Sequence, residues 1–140
     1  MFNNELIKEA IDKAVETRKY SQCGISKQKI GASLIARNKE GVYAIFDASN
    51  VELSTSICIH AEQLCLLKAI NEGFIYPEAV FVTSVSDDYH VPMCLLCRGW
   101  YYYVNPEITI YVIGLDHEIK MTRILKDTVT DPYLGKSRLE

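Results

Sequence analysis

Apolar residues at Leu6, Ile7, Ala10, Ile11, Ala14 and Val15 recur at three- and four-residue intervals. That spacing predicts an amphipathic helix over residues 4 to about 19, opened by a capping asparagine. Residues 30–37 and 42–48 are rich in strand formers and flank Asn38-Lys39-Glu40-Gly41, a turn-forming tetrapeptide, so they predict a hairpin. A polar, strand-breaking stretch at 50–56 precedes a second helix from about His60 to Asn71 that stops at Gly73. A third strand follows over 79–85, then a polar loop over 86–90. The third helix runs from Cys94 to about Val104, with Pro92 just ahead of it and Asn105-Pro106 behind. Strands at 108–113 and 118–124 complete the pattern. Helix, hairpin, then alternating helices and strands is the order of a three-layer α-β-α domain of the α/β class with a mixed five-stranded sheet.

Length and composition narrow this picture. No Gly/Ser-rich or Pro-rich linker interrupts the 140 residues, so one domain over 1–140 is expected. Hydrophobic residues at 49% and charged residues at 24% suit a chain that buries one core. The longest apolar runs, such as 57–59 and 64–67, fall far short of the roughly 20 residues of a membrane span. The N-terminus lacks a basic segment followed by an apolar one, which makes a cytoplasmic location the expectation. A net charge of −3 and a pI near 5.6 argue against a surface built to neutralise phosphates, so a nucleic-acid partner is not expected. Arg18, Lys19, Lys27 and Lys29 read as a solvated face.

The cysteines carry the chemical signal. In a chain without an export signal, the Cys94-Leu95-Leu96-Cys97 spacing points to metal binding before disulfides. A Cys-x-x-Cys in the first turn of a helix sets both sulfurs beside free amide hydrogens, which favour the thiolate. His60, at the predicted start of the second helix, supplies a third ligand. Three protein ligands leave a tetrahedral zinc ion one position for water, the arrangement of a catalytic site that activates water near neutral pH. Glu62 leaves the helix at a different angle from His60 and can reach that water without binding the metal. Each half alone also fits a blander reading: a surface helix for His-x-Glu, a redox or buried pair for Cys-x-x-Cys.

The ordered pair, His60-Ala61-Glu62 followed 32 residues after the glutamate by Cys94-x-x-Cys97, resembles the zinc deaminase pattern. The chain is similar to the cytidine deaminase family over most of its length: Tyr20-Ser21, Ile30-Gly31-Ala32-Ser33, Asn50-Val51-Glu52, both zinc motifs and Arg98. The resemblance implies a cytidine deaminase-like fold and zinc-dependent hydrolysis of cytidine or deoxycytidine to uridine or deoxyuridine and ammonia. In that reading Zn2+ sits on His60, Cys94 and Cys97. Glu62 takes a proton from water attacking C4 of cytosine and delivers it to the ring nitrogen and the leaving ammonia. The resemblance carries binding of the sugar hydroxyls to Asn50 and Glu52 and places Ala61 among the substrate contacts. The competing reading of the first two is a capping loop residue and a solvated acid. Family members with three cysteine ligands carry an arginine after the glutamate; here two thiolates and a neutral imidazole already balance zinc, and Gln63 stands in that place. The family also implies a pyrimidine nucleoside as ligand, a role in pyrimidine salvage, no membrane partner, and a homo-oligomer, a tetramer before a dimer.

The chain departs from the family in places. Met93 rather than proline precedes Cys94, with Pro92 one place early, and Leu95 replaces a glycine. Gly99-Trp100 follows Arg98, and a helical glycine costs about 1 kcal/mol against alanine. The segment between Tyr20-Ser21 and Ile30-Gly31 is longer than the family pattern, and the phenylalanine that lies over the pyrimidine has no clear counterpart. The altered loop motivates an alternative substrate, a modified cytosine nucleoside such as blasticidin S. A non-catalytic zinc-binding relative is the non-enzyme alternative. Tyr133 is a candidate lid or a surface residue, and Trp100, Tyr101, Tyr102 and Tyr103 read as core and subunit contacts. Cys23, Cys58 and Cys65 read as small buried hydrophobes, while His90 and His117 lack ligand spacing.

Overall fold

The computed structural model describes residues 2–83 and 93–129. Asn3 caps α1 (Asn4–Thr17), its side chain accepting from Leu6 N at 3.0 Å. The helix ends two residues before the sequence pattern does, because Arg18–Tyr20 tightens into a 3-10 turn whose Arg18 carbonyl accepts from Ser21 N. The predicted hairpin is β1 (Gly31–Arg37) and β2 (Tyr43–Ser49), paired antiparallel around a turn in which Gly41 adopts φ +85°. A two-residue ladder follows, β3 (Val51–Glu52) against β4 (Cys58–Ile59). The expectation of a strand-free stretch at 50–56 is corrected here: two pairs are too few to show a period in sequence.

Among the described residues, the remaining α-helices and strands are α2 (Ala61–Asn71), β5 (Tyr76–Thr83), α3 (Leu95–Val104), β6 (Thr109–Ile113) and β7 (Ile119–Ile124). Gly73, at φ +87°, stops α2 in the left-handed conformation that glycine adopts without strain. β5 starts three residues before the predicted strand. Pro77 disguised that start, and it is accommodated where the β1 register shifts between Ile35 and Ala36. The main sheet runs β2-β1-β5-β6-β7, parallel only between β5 and β6, which the α3 crossover joins. It is therefore the expected mixed five-stranded sheet.

Helices cover both faces, and β1 shows why apolar residues fall on both sides of a central strand. Ala32, Leu34 and Ala36 pack under α2 and α3 with Leu66, Val82 and Tyr101, whereas Ile35 faces α1 with Ala10, Ala14 and Phe81. Gly31 is required by the close crossing of α1: a Cβ there would lie 2.0 Å from the Ala14 carbonyl oxygen. Among the described residues no helix is long and apolar enough to cross a membrane. Pro92, His90, Tyr133 and the last two residues of the predicted third strand lie outside the described residues.

Candidate metal centre and adjoining cavity

Two helix starts build the site. His60 is the N-cap of α2 and Cys94 the N-cap of α3, with Glu62 and Cys97 in the first turns that follow. The Gln63 side chain folds back to accept the His60 backbone N–H at 3.0 Å, fixing the angle at which His60 enters α2. His60 Nδ1 lies 3.3 Å from Cys94 Sγ and 3.2 Å from Cys97 Sγ, and the three donor atoms fall within 4.8 Å of one another.

This donor set fits zinc. Tetrahedral bonds of about 2.1 Å to nitrogen and 2.3 Å to sulfur place neighbouring donors roughly 3.6–3.8 Å apart, so the triad closes on one ion by opening a few tenths of an ångström. Among the described residues the cluster contains these three side chains, which leaves a tetrahedral ion one further position. Burial pushes the Cys97 thiol far up, and the neighbouring Glu62 and Cys94 add to the shift. Its proton therefore leaves readily only in exchange for a cation.

Glu62 is 4% exposed, with Oε2 3.6 Å from Cys97 Sγ. Burial raises its carboxyl above the ordinary value, opposed by its own backbone N–H and by His60. Such a carboxyl can hold a proton and return it, the property a general acid and base requires. A residue that sequence reasoning placed only in packing stands behind it: the fully buried Tyr101 donates its hydroxyl to the Glu62 carbonyl at 2.7 Å, tying α3 to α2. Its place four residues after Cys97, on the same helix face, was the available signal.

A cavity of about 360 Å3 opens over His60 and Cys94, within the range of small-molecule sites. Asn50, Glu52, His60, Ala61, Glu62 and Cys94 all line it. Ile25 and Ser26 line it from the segment between Ser21 and Ile30. Asn50 Oδ1 accepts from Ile30 N at 2.9 Å and from Ser21 Oγ, while Nδ2 donates to Gln28 O at 2.8 Å. The Glu52 carboxylate accepts from Ser26, whose hydroxyl and backbone bonds hold its pKa below the ordinary range.

Neighbouring residues match expectation in part. Cys65 is buried, but Cys58 is exposed because it sits on the short β3–β4 ribbon at the cavity rim, and Cys23 is half-buried. Of the aromatic cluster only Tyr101 is enclosed; Trp100 and Tyr103 are 36% and 45% exposed. Met93 is buried in the core, and Arg98 steadies the approach to Cys94 by donating to Met93 O at 3.0 Å and Thr128 O at 2.8 Å. His117 pairs with Asp12 at 2.7 Å, away from the triad.

Known proteins resemble this chain in sequence and in fold. The model of the "Cytidine and deoxycytidylate deaminase zinc-binding region" matches residues 4–112. A "Probable cytidine deaminase" of Dictyostelium discoideum is 32% identical over 97 residues, 69% of this chain and 63% of that protein, so the match spans under two thirds of that curated relative. The crystal structure of cytidine deaminase from Burkholderia pseudomallei superposes with a TM-score of 0.77 at 20% identity, over 94% of this chain and 100% of that one. That from Mycobacterium leprae gives 0.68 at 19% identity, over 93% and 100%. At these identities the two structures establish the shared fold. With 109 residues, 4 through 112, under the family model, the chain belongs to the cytidine and deoxycytidylate deaminase zinc-binding family.

Proposed function

We propose that this protein is a zinc-dependent hydrolase that converts cytidine or deoxycytidine and water to uridine or deoxyuridine and ammonia. One observation carries the reading: His60 Nδ1 lies 3.3 and 3.2 Å from two cysteine sulfurs, beside a buried carboxyl, under a cavity of about 360 Å3. His60, Cys94 and Cys97 hold zinc, which when bound supplies the Lewis acidity that makes a water proton removable near neutral pH. Glu62 accepts that proton and returns it to the ring nitrogen, and a second transfer through the same carboxyl releases the amine as ammonia. Burial suits Glu62 to both steps, since its raised pKa brings the protonated and ionised forms closer in energy.

The cavity wall favours a nucleoside. Asn50 has one Nδ2 hydrogen beyond the one given to Gln28, and the Glu52 carboxylate retains lone pairs beyond those that Ser26 engages. Together they offer a donor and an acceptor to a pair of sugar hydroxyls. Glu52 lies on this wall and no lysine or arginine is among the described lining residues, which favours an uncharged sugar over a sugar phosphate. Ala61 sits between the two functional side chains and is among the residues around the cavity, which supports the substrate contact proposed for it. We also propose a homo-oligomer, a tetramer before a dimer, supported by Leu95, Leu96, Trp100 and Tyr103 all exposed on α3.

The test is ammonia release and product chromatography with zinc-loaded protein and cytidine, deoxycytidine or blasticidin S. Either nucleoside should turn over, and Glu62→Gln should lose on the order of 10²–10⁴-fold while retaining zinc. No turnover of either nucleoside, or a Glu62→Gln variant as active as the parent, would overturn the reading.

A further inference from the structure

The segment that is longer than the family pattern forms one side of the cavity, and a single residue in it grips a proposed sugar contact. Ser26 N donates to Glu52 Oε2 at 2.9 Å, and Ser26 Oγ donates to Oε1 at 2.5 Å. The same Oγ accepts from Gln28 N at 3.1 Å, so its one proton is directed at Glu52. The turn presenting Ser26 is closed by Lys27 N donating to Cys23 O at 2.9 Å, with Lys27 at φ +65°. Independent bonds anchor the segment to β3: Gln22 N to Asn50 O at 3.0 Å and Glu52 N to Gln22 O at 2.8 Å. The backbone path therefore does not depend on the serine hydroxyl. Both Ser26 and Glu52 line the cavity.

We propose that Ser26 is a positioning residue for the sugar end of the substrate: it clamps both Glu52 oxygens and presets the carboxylate to accept from a sugar hydroxyl. The inference rests on the nucleoside deaminase reading. An unclamped glutamate loses side-chain freedom when it takes up a ligand, a cost the clamp removes before binding. Neither atom of Ser26 reaches the metal triad, so the contribution belongs to substrate binding and not to the chemical step. The clamp also keeps Glu52 ionised, hence purely an acceptor.

The full-length, zinc-loaded chain is compared with Ser26→Ala and Ser26→Thr, measuring kcat and KM for cytidine. The same variants are tested against 2′,3′-dideoxycytidine, which lacks the two ring hydroxyls, as substrate or competitive inhibitor. Ser26→Ala should raise KM for cytidine about two- to tenfold, the size of ordering one unclamped side chain on binding, with kcat within about twofold. Ser26→Thr, which keeps the hydroxyl, should restore KM, and the dideoxy compound should be insensitive to either change. A parent enzyme that turns over cytidine while Ser26→Ala keeps its KM, or weakens both compounds equally, overturns the role of Ser26 and leaves the deaminase reading standing. A parent that turns over no nucleoside removes that reading and this inference with it.

Discussion

Replacing Tyr101 with phenylalanine deletes one oxygen from the fully enclosed contact between the two helices that carry His60, Glu62, Cys94 and Cys97. The hydroxyl donates to the Glu62 carbonyl at 2.7 Å. That carbonyl also faces the N–H four residues on in α2, so the change costs one hydrogen bond and does not orphan the acceptor. The expected loss is about 1 kcal/mol, or roughly 4 °C in melting temperature for a chain of this length. Truncation to alanine adds a cavity and should cost about 3–5 kcal/mol. Because the bond seats Glu62 against Cys97, kcat should also fall severalfold with KM unchanged. Urea unfolding of the zinc-loaded proteins and steady-state kinetics measure both effects. A phenylalanine variant within about 0.3 kcal/mol of the parent and equally active would refute the assignment of Tyr101 as the brace behind Glu62.

Burial holds the Glu62 carboxyl above 4.5, so in chelator-stripped protein its contribution to stability is fully present below that pH and is lost as pH rises through the folded value. Glu62→Gln does not titrate, and its stability relative to the parent should therefore increase with pH above 4.5 and then level; a gap flat from about pH 4 to about pH 7 would contradict the burial of the ionised group. Gly31→Ala places a methyl 2.0 Å from the Ala14 carbonyl, a backbone atom that cannot turn aside, so α1 must lift from β1. A loss of about 3 kcal/mol or more is expected in denaturant unfolding, and an unchanged midpoint would show that the helix crossing has slack.

The elements visible in sequence are those whose signal is local. The stripe from Leu6 to Val15, the Asn38–Gly41 turn and Gly73 each depend on neighbours within a few residues, and the corresponding helix, hairpin and helix stop occur where expected. The two halves of the candidate site were readable for the same reason. His60-x-Glu62 and Cys94-x-x-Cys97 each occupy one helix start, where spacing alone determines which side chains share a side. Tertiary structure decided what depends on contacts distant along the chain. Ser26 meets Glu52 across 26 positions, Tyr101 meets Glu62 across 39, and the ribbon that exposes Cys58 forms from two residue pairs. Loop paths bring such partners together, and those paths are set by packing across the whole sheet, so no period or motif in the sequence records them.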